Sequence, residues 1–185
     1  MADIRQTMRS VAYDLWRIPE PEIKKPVQEA APAPDFEDIW KAVDEGTDWT
    51  AILADPAANP ALAPLAGEVL LGDVAAYRAA LDIIRPLDDL KAYYTEGAVE
   101  VTSSDMLCVA YTAAFSSDDR RRAAGLALRV ARDLLAALPV TSINVWASHA
   151  DGKVLEADFT RDMLRCIRVN VADPEEIAAQ CGVWL

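Results

Sequence analysis

Residues 106–115 read MLCVAYTAAF, ten positions without a single charge. In an extended chain alternate side chains go to opposite faces. Leu107, Val109, Tyr111 and Phe115 fall on one face, and Met106, Cys108, Ala110 and Ala114 on the other. A strand apolar on both faces is predicted to be central in its sheet and covered on both sides.

The neighbours of this stretch extend the reading. Ala98 to Ser103 alternates, with Val99 and Val101 opposed to Glu100 and Thr102, and Ser103-Ser104-Asp105 supplies the turn. Downstream, Ser116 and Asp119 form a variant capping box. A helix with the stripe Ala123, Ala127, Val130, Leu134 and Leu138, widened by Leu126 and Leu135, runs to Pro139. Two further strands are predicted, Ser142 to Ser148 and Val154 to Thr160. Asp173-Pro-Glu-Glu176 starts a last short helix that Gly182 closes. Period two sets the final hairpin's register. A three-residue loop, Ala150-Asp151-Gly152, pairs His149 with Lys153, Ala147 with Leu155, Val145 with Ala157 and Ile143 with Phe159, which gathers the apolar residues on one face. It places Gly152 at positive φ in a G1 bulge.

Upstream the chain is helical. Val74, Tyr77, Leu81 and Ile84 form one stripe that Pro86 ends, and Pro86-Leu-Asp-Asp-Leu90 resembles a fresh helix start. Asp48 to Ala54 adds a turn or two, and Ala61 to Leu71 is predicted helical with Pro64 in its first turn. Asp35 caps a helix bearing Phe36, Ile39, Trp40 and Val43. Residues 1–21 form an amphipathic helix with the stripe Ile4, Met8, Val11, Leu15 and Ile18. Residues 22–34, with three prolines among mixed charges, form an extended linker. The domain proper is then 35–185. Its class is α+β: N-terminal helices, then a β-β-α-β-β unit forming a mostly antiparallel four-stranded sheet with the long helix packed on one face.

Composition narrows the function. The 185 residues are 52% hydrophobic and 26% charged, which suits a folded core and excludes wholesale disorder. Lys plus Arg number 18 against 30 Asp plus Glu, a net charge of −12, so double-stranded DNA is not an expected partner. No run approaches 18 apolar residues, so no membrane span is predicted. The beginning, MADIRQTMRS, lacks a basic stretch followed by an apolar one. Cys108, Cys166 and Cys181 are odd in number and far apart. Three reduced thiols, with Cys108 buried in its strand, point to the cytoplasm.

Chemical signatures are sparse. The phosphate-binding loop, the dinucleotide fingerprint and the nucleophile elbow are all missing, so no cofactor is predicted. Glu156 and Asp158 share one face of a strand, roughly 7 Å apart. With Glu100 from another strand they are the candidate ligands for a divalent metal; the competing reading is an ordinary solvated sheet face. Asp151-Gly-Lys153 matches a fragment of nuclease sites but is better explained as the hairpin turn, with His149 an exposed loop residue beside it. All five arginines of residues 101–140 lie between Arg120 and Arg132. Arg121, Arg122, Arg129 and Arg132 form a candidate docking patch for an anionic partner, against the plainer reading of a solvated helix face. Five tryptophans are many for this length. Trp40 and Trp49 are assigned to the helical core. Trp146 and Trp184 are candidate interface anchors, with Trp146 and Val154 marking an exposed patch.

Two stretches carry a resemblance. Tyr77 to Leu90 (YRAALDIIRPLDDL) ends in a P-[FL]-D-D-L turn. Val130 to Pro139 (VARDLLAALP), followed by strands and Ala157-Asp-Phe-Thr-Arg161, resembles an "ARDL, LLP, strand, strand, F-D-R" order. Over about residues 68–165 the chain resembles a group of uncharacterised bacterial proteins. It departs from their pattern at Thr160, where they carry Asp. The resemblance implies one bacterial α+β domain and carries over no catalytic residue. The favoured function is a non-enzymatic protein-interaction domain, with a protein partner or a second copy, of mobile-element or phage origin. A metal-dependent nuclease or phosphodiesterase and a secretion-chaperone-like acidic dimer are the alternatives.

Overall fold

A computed structural model describes residues 47–114, 119–150, 152–167 and 172–185. The helix expected over residues 1–21, the linker 22–34 and the helix after Asp35 lie outside the described residues.

The described chain starts with short helices built by local capping. Asp48 accepts hydrogen bonds from the Thr50 and Ala51 amides and starts α1 (Trp49–Ala54). Single 3₁₀ turns at Pro56–Ala58 and Ala63–Leu65 lead into α2 (Ala66–Leu70). Asp73 caps α3 (Val74–Ile84) through the Ala76 amide, and Pro86 follows one residue past its end. The expected helix start at Pro86 is only a 3₁₀ turn, Asp88–Leu90. The β-forming run Tyr93-Tyr94-Thr95 takes over, and β1 (Tyr94–Val101) begins earlier than the alternation at Ala98 suggested.

β2 (Met106–Ala113) pairs antiparallel with β1. Asp119 then caps α4 (Arg120–Ala137) by accepting from the Arg122 amide. The whole predicted stripe of this helix is buried, from Ala123 to Leu138. Because α4 carries the chain back along the sheet, β3 (Ser142–His149) runs parallel to β2. β4 (Gly152–Thr160) returns antiparallel, and two short helices follow, α5 (Arg161–Cys166) and α6 (Pro174–Cys181). Asp173 and Pro174 start α6 as the sequence implied. Gly182, however, opens a fifth strand, β5 (Gly182–Trp184), on the outer edge of β4. Among the described residues the sheet therefore has five strands in sequential order, antiparallel except for β2–β3. The expected four-stranded arrangement is one strand short, because a three-residue strand leaves no periodic trace. Gly182 is required by close approach rather than by a turn. A Cβ there would fall on the Glu156 carbonyl and lie 2.6 Å from the Ala157 Cα.

The final hairpin keeps its predicted body. Ile143 faces Phe159, Val145 faces Ala157 and Ala147 faces Leu155. At the tip His149 pairs with Gly152 instead of Lys153, and a register shift leaves Val154 as the extra residue of β4. Gly152 has φ +146°, positive as expected, but the bulge sits two residues further on. Val154 is consequently buried: the C-terminal segment lies beside it, the Leu185 amide donating to its carbonyl. The proposed exposure of Val154 is thus corrected.

Candidate functional site

Burial alternates along the sheet. Leu107, Val109 and Tyr111 of β2, and Ile143, Val145 and Ala147 of β3, are buried in the core. Their alternates Met106, Cys108, Ser142, Asn144 and Trp146 are half-buried, and Ala98 and Ala110 are exposed. β2 is an inner strand but is not covered on both faces among the described residues. Cys108 is half-buried on the open face, not in the core.

Register organises this open face into rows. One row reads Glu100, Cys108, Asn144, Asp158, and the next Ala98, Ala110, Trp146, Glu156, Val183. The Trp146 indole N–H donates to the Asn144 carbonyl oxygen, whose amide donates to Asp158 at 2.8 Å. This chain of bonds ties the indole to the neighbouring row. Glu100 and Asp158 do share a face with Glu156. They stand three strands apart, however, about 14 Å at ordinary strand spacing. Among the described residues no group of three or more His, Cys, Asp or Glu could hold a metal ion. The three carboxylates are a rim, not a cluster.

The arginines of α4 are dispersed among partners. Arg120 lies over the Trp184 ring at 5.3 Å, a cation–π contact. Arg121 pairs with Asp173 at 3.2 Å and Arg122 with Asp119 at 3.2 Å. Arg129, 11% exposed, bonds Asp133 at 2.6 Å and Asp89 at 3.0 Å. It belongs to the core boundary and is withdrawn as a docking residue. Arg132 lines a separate recess with Arg161 and Arg165. Trp184 is half-buried against the core, on the side opposite Trp146.

Sequence reading missed the role of Arg161. It donates to the carbonyls of Leu135 at 2.5 Å, Leu138 at 2.6 Å and Val140 at 3.1 Å, so it closes the C-terminal end of α4. Burial lowers its pKa. The Trp49 indole N–H donates to Ala137 at 3.0 Å in the same place. The signal was present in the quoted motifs: Asp89 of Pro86–Leu90 and Asp133 of Val130–Pro139 both hold Arg129, and Arg161 ends Ala157-Asp-Phe-Thr-Arg161. They are the tertiary ties of the fold. No helix among the described residues is long and apolar enough to cross a membrane. No family model, curated protein or solved structure matches the chain.

Proposed function

We propose that the domain is a non-enzymatic interaction module whose open sheet face docks a protein partner. The observation that carries this reading is the row Ala98–Ala110–Trp146 across β1, β2 and β3. It is an apolar strip with two exposed alanines and a tryptophan held by Asn144, with no described helix over it. Glu96, Glu100, Glu156 and Asp158 share that face, and they favour a partner with an apolar centre and a basic rim. Tryptophan is the side chain most often found as an interface anchor. Its indole N–H is bonded to Asn144, so docking an apolar group on the ring leaves no donor unmet.

A photo-crosslinking residue at position 100, exposed at the rim of the strip, tests the proposal in cells. The expected product is one intermolecular adduct, with a second copy or a basic protein, whose yield falls several-fold in Trp146→Ser while the circular dichroism is unchanged. A crosslink to residues 1–46 of the same chain would assign the face to the protein's own N-terminal segment and overturn the proposal. So would an adduct indifferent to Trp146→Ser.

A further inference from the structure

On the other side of the sheet a cavity of about 620 Å³ opens between α3, β1, β2 and α4. That volume is in the range of small-molecule sites. The apolar part of its wall comes from Leu81 of α3, Val99 of β1, Val109 of β2 and Leu134 of α4. Gly97 matters to one wall: the Tyr94 ring lies against it, 2.9 Å from where a Cβ would stand. The Tyr94 hydroxyl is fixed to the Leu87 carbonyl at 3.2 Å, and its ring sits 6.3 Å from that of Tyr111. Tyr111 completes the wall, and its fully buried hydroxyl has no hydrogen-bond partner among the described residues.

The rim carries Arg78, Arg85 and Lys91. Lys91 is neutralised by Asp88 at 2.8 Å. Among the described residues Arg85 has Asp88 at 4.0 Å and donates to the Asp82 carbonyl at 3.3 Å, and Arg78 has a 3.4 Å hydrogen bond to the Val101 carbonyl; neither has a carboxylate closer than 4.0 Å. Asp82, also on the rim, makes no ion pair among the described residues. Two guanidinium groups are thus weakly engaged at the mouth of an apolar cavity, in a chain of net charge −12. The backbone adds an independent observation. Arg85 ends α3 at φ 49°, ψ 57°, the left-handed conformation, and is the one non-glycine residue with positive φ among those described. Glycine is the residue that favours this position. Arginine there keeps backbone strain and gains a cation, and strain of that kind is concentrated at ligand sites.

We propose that this cavity binds a small amphipathic carboxylate, with its apolar body between β1 and α4 and its charge held by Arg78 and Arg85. The site opens on the other side of the sheet from the strip, with which it shares Ala98 alone. Decanoate, below its micelle concentration, is the probe, with decanol and decyltrimethylammonium at the same concentrations, followed by calorimetry and by amide chemical shifts. Decanoate binds saturably and shifts the Gly97 and Arg85 amides, and it binds more tightly than either control. Arg78→Gln/Arg85→Gly weakens decanoate by about tenfold, while decanol changes less than about twofold. Arg85→Gly alone melts no lower than the parent protein, because it relieves the left-handed strain. Equal binding of decanoate and decyltrimethylammonium overturns the proposal, as does the absence of saturable binding or an unchanged decanoate affinity in the double variant. If the double variant does not fold, the decanoate-to-decyltrimethylammonium ratio of the parent protein decides.

Discussion

Arg161 is the residue whose removal tests the account of the fold most sharply. The last carbonyls of a helix have no partner within it. In α4 they include those of Leu135 and Leu138, whose residues are 4% and 1% exposed, so water reaches them poorly. One guanidinium satisfies both, and the Val140 carbonyl beyond them. Hydrogen bonds from a charged donor contribute roughly 1.5–3 kcal/mol each. They share one side chain and so do not add, and the half-buried arginine leaves room for water to replace part of the loss. Its positive charge at a helix C-terminus contributes a further 0.3–1 kcal/mol, roughly. Arg161→Met therefore costs about 3 kcal/mol, or about 6–12 °C in melting temperature for a chain of this size. Arg161→Lys keeps the charge but replaces the planar fork with a point donor, and it costs about 2 kcal/mol. Urea unfolding followed by far-ultraviolet circular dichroism, with the slope checked for constancy, measures both. If Arg161→Met lies within about 0.5 kcal/mol of the parent protein, the carbonyls are satisfied some other way and the capping role is wrong.

Tyr111 makes a pH-dependent prediction. Burial raises its pKa well above the usual tyrosine value, so it stays protonated in the fold while an unfolded chain ionises near 10. Its contribution is fully present below that pH and is lost as pH rises further, so stability falls above about pH 10. Tyr111→Phe flattens this fall and, by removing an unpartnered buried hydroxyl, stabilises the protein at pH 7 by about 1 kcal/mol. A melting series from pH 7 to 11 checks both, and a destabilised Phe variant would refute the orphan assignment. Gly182→Ala forces apart β4 and β5, costs about 1–3 kcal/mol and exposes Trp184 to fluorescence quenching by acrylamide. Unchanged quenching would show that β5 tolerates a Cβ. Arg129→Met removes the 2.6 Å ion pair of the buried Asp133 and costs about 3 kcal/mol, whereas Arg129→Met/Asp133→Leu recovers most of the loss. Equal losses in the single and double variants, measured by urea unfolding, would mean that the pair is not coupled.

What the sequence made legible follows from periodicity. The 3.6-residue stripe of α4 and the two-residue alternation of β2, β3 and β4 were readable because each spans enough residues to repeat. α5 was not: its six residues, RDMLRC, complete less than two turns, and their start depends on Thr160, which accepts from the Met163 amide. β5 was hidden behind Gly182, a residue type that ends helices as readily as it permits close strand contact. Trp146 was correctly placed on the face away from α4, because register alone decides that. Val154 was misplaced because a bulge moves one residue out of alternation, and alternation was the only basis for its face. Glu100 was tied to Glu156 and Asp158 by face without strand order, and order is what separates them. The cavity was invisible because its walls come from four elements spread over residues 78–134.

The geometry of β2 keeps the two proposed surfaces separable. Ala110 and Tyr111 are consecutive, yet one is exposed on the open face and the other is buried against the cavity. Strand alternation makes this unavoidable, because neighbours must point to opposite sides. A bulky residue at 110 therefore obstructs a partner on the open face without entering the cavity, and Arg78→Gln/Arg85→Gly weakens the cavity's hold on a carboxylate without changing the Ala98–Ala110–Trp146 strip. Loss of partner crosslinking in the first variant with decanoate binding intact, and the reverse in the second, would establish two independent surfaces. Joint loss in either variant would mean that β2 itself had moved. In that event the thermal unfolding of both variants would show it as a shared drop in melting temperature.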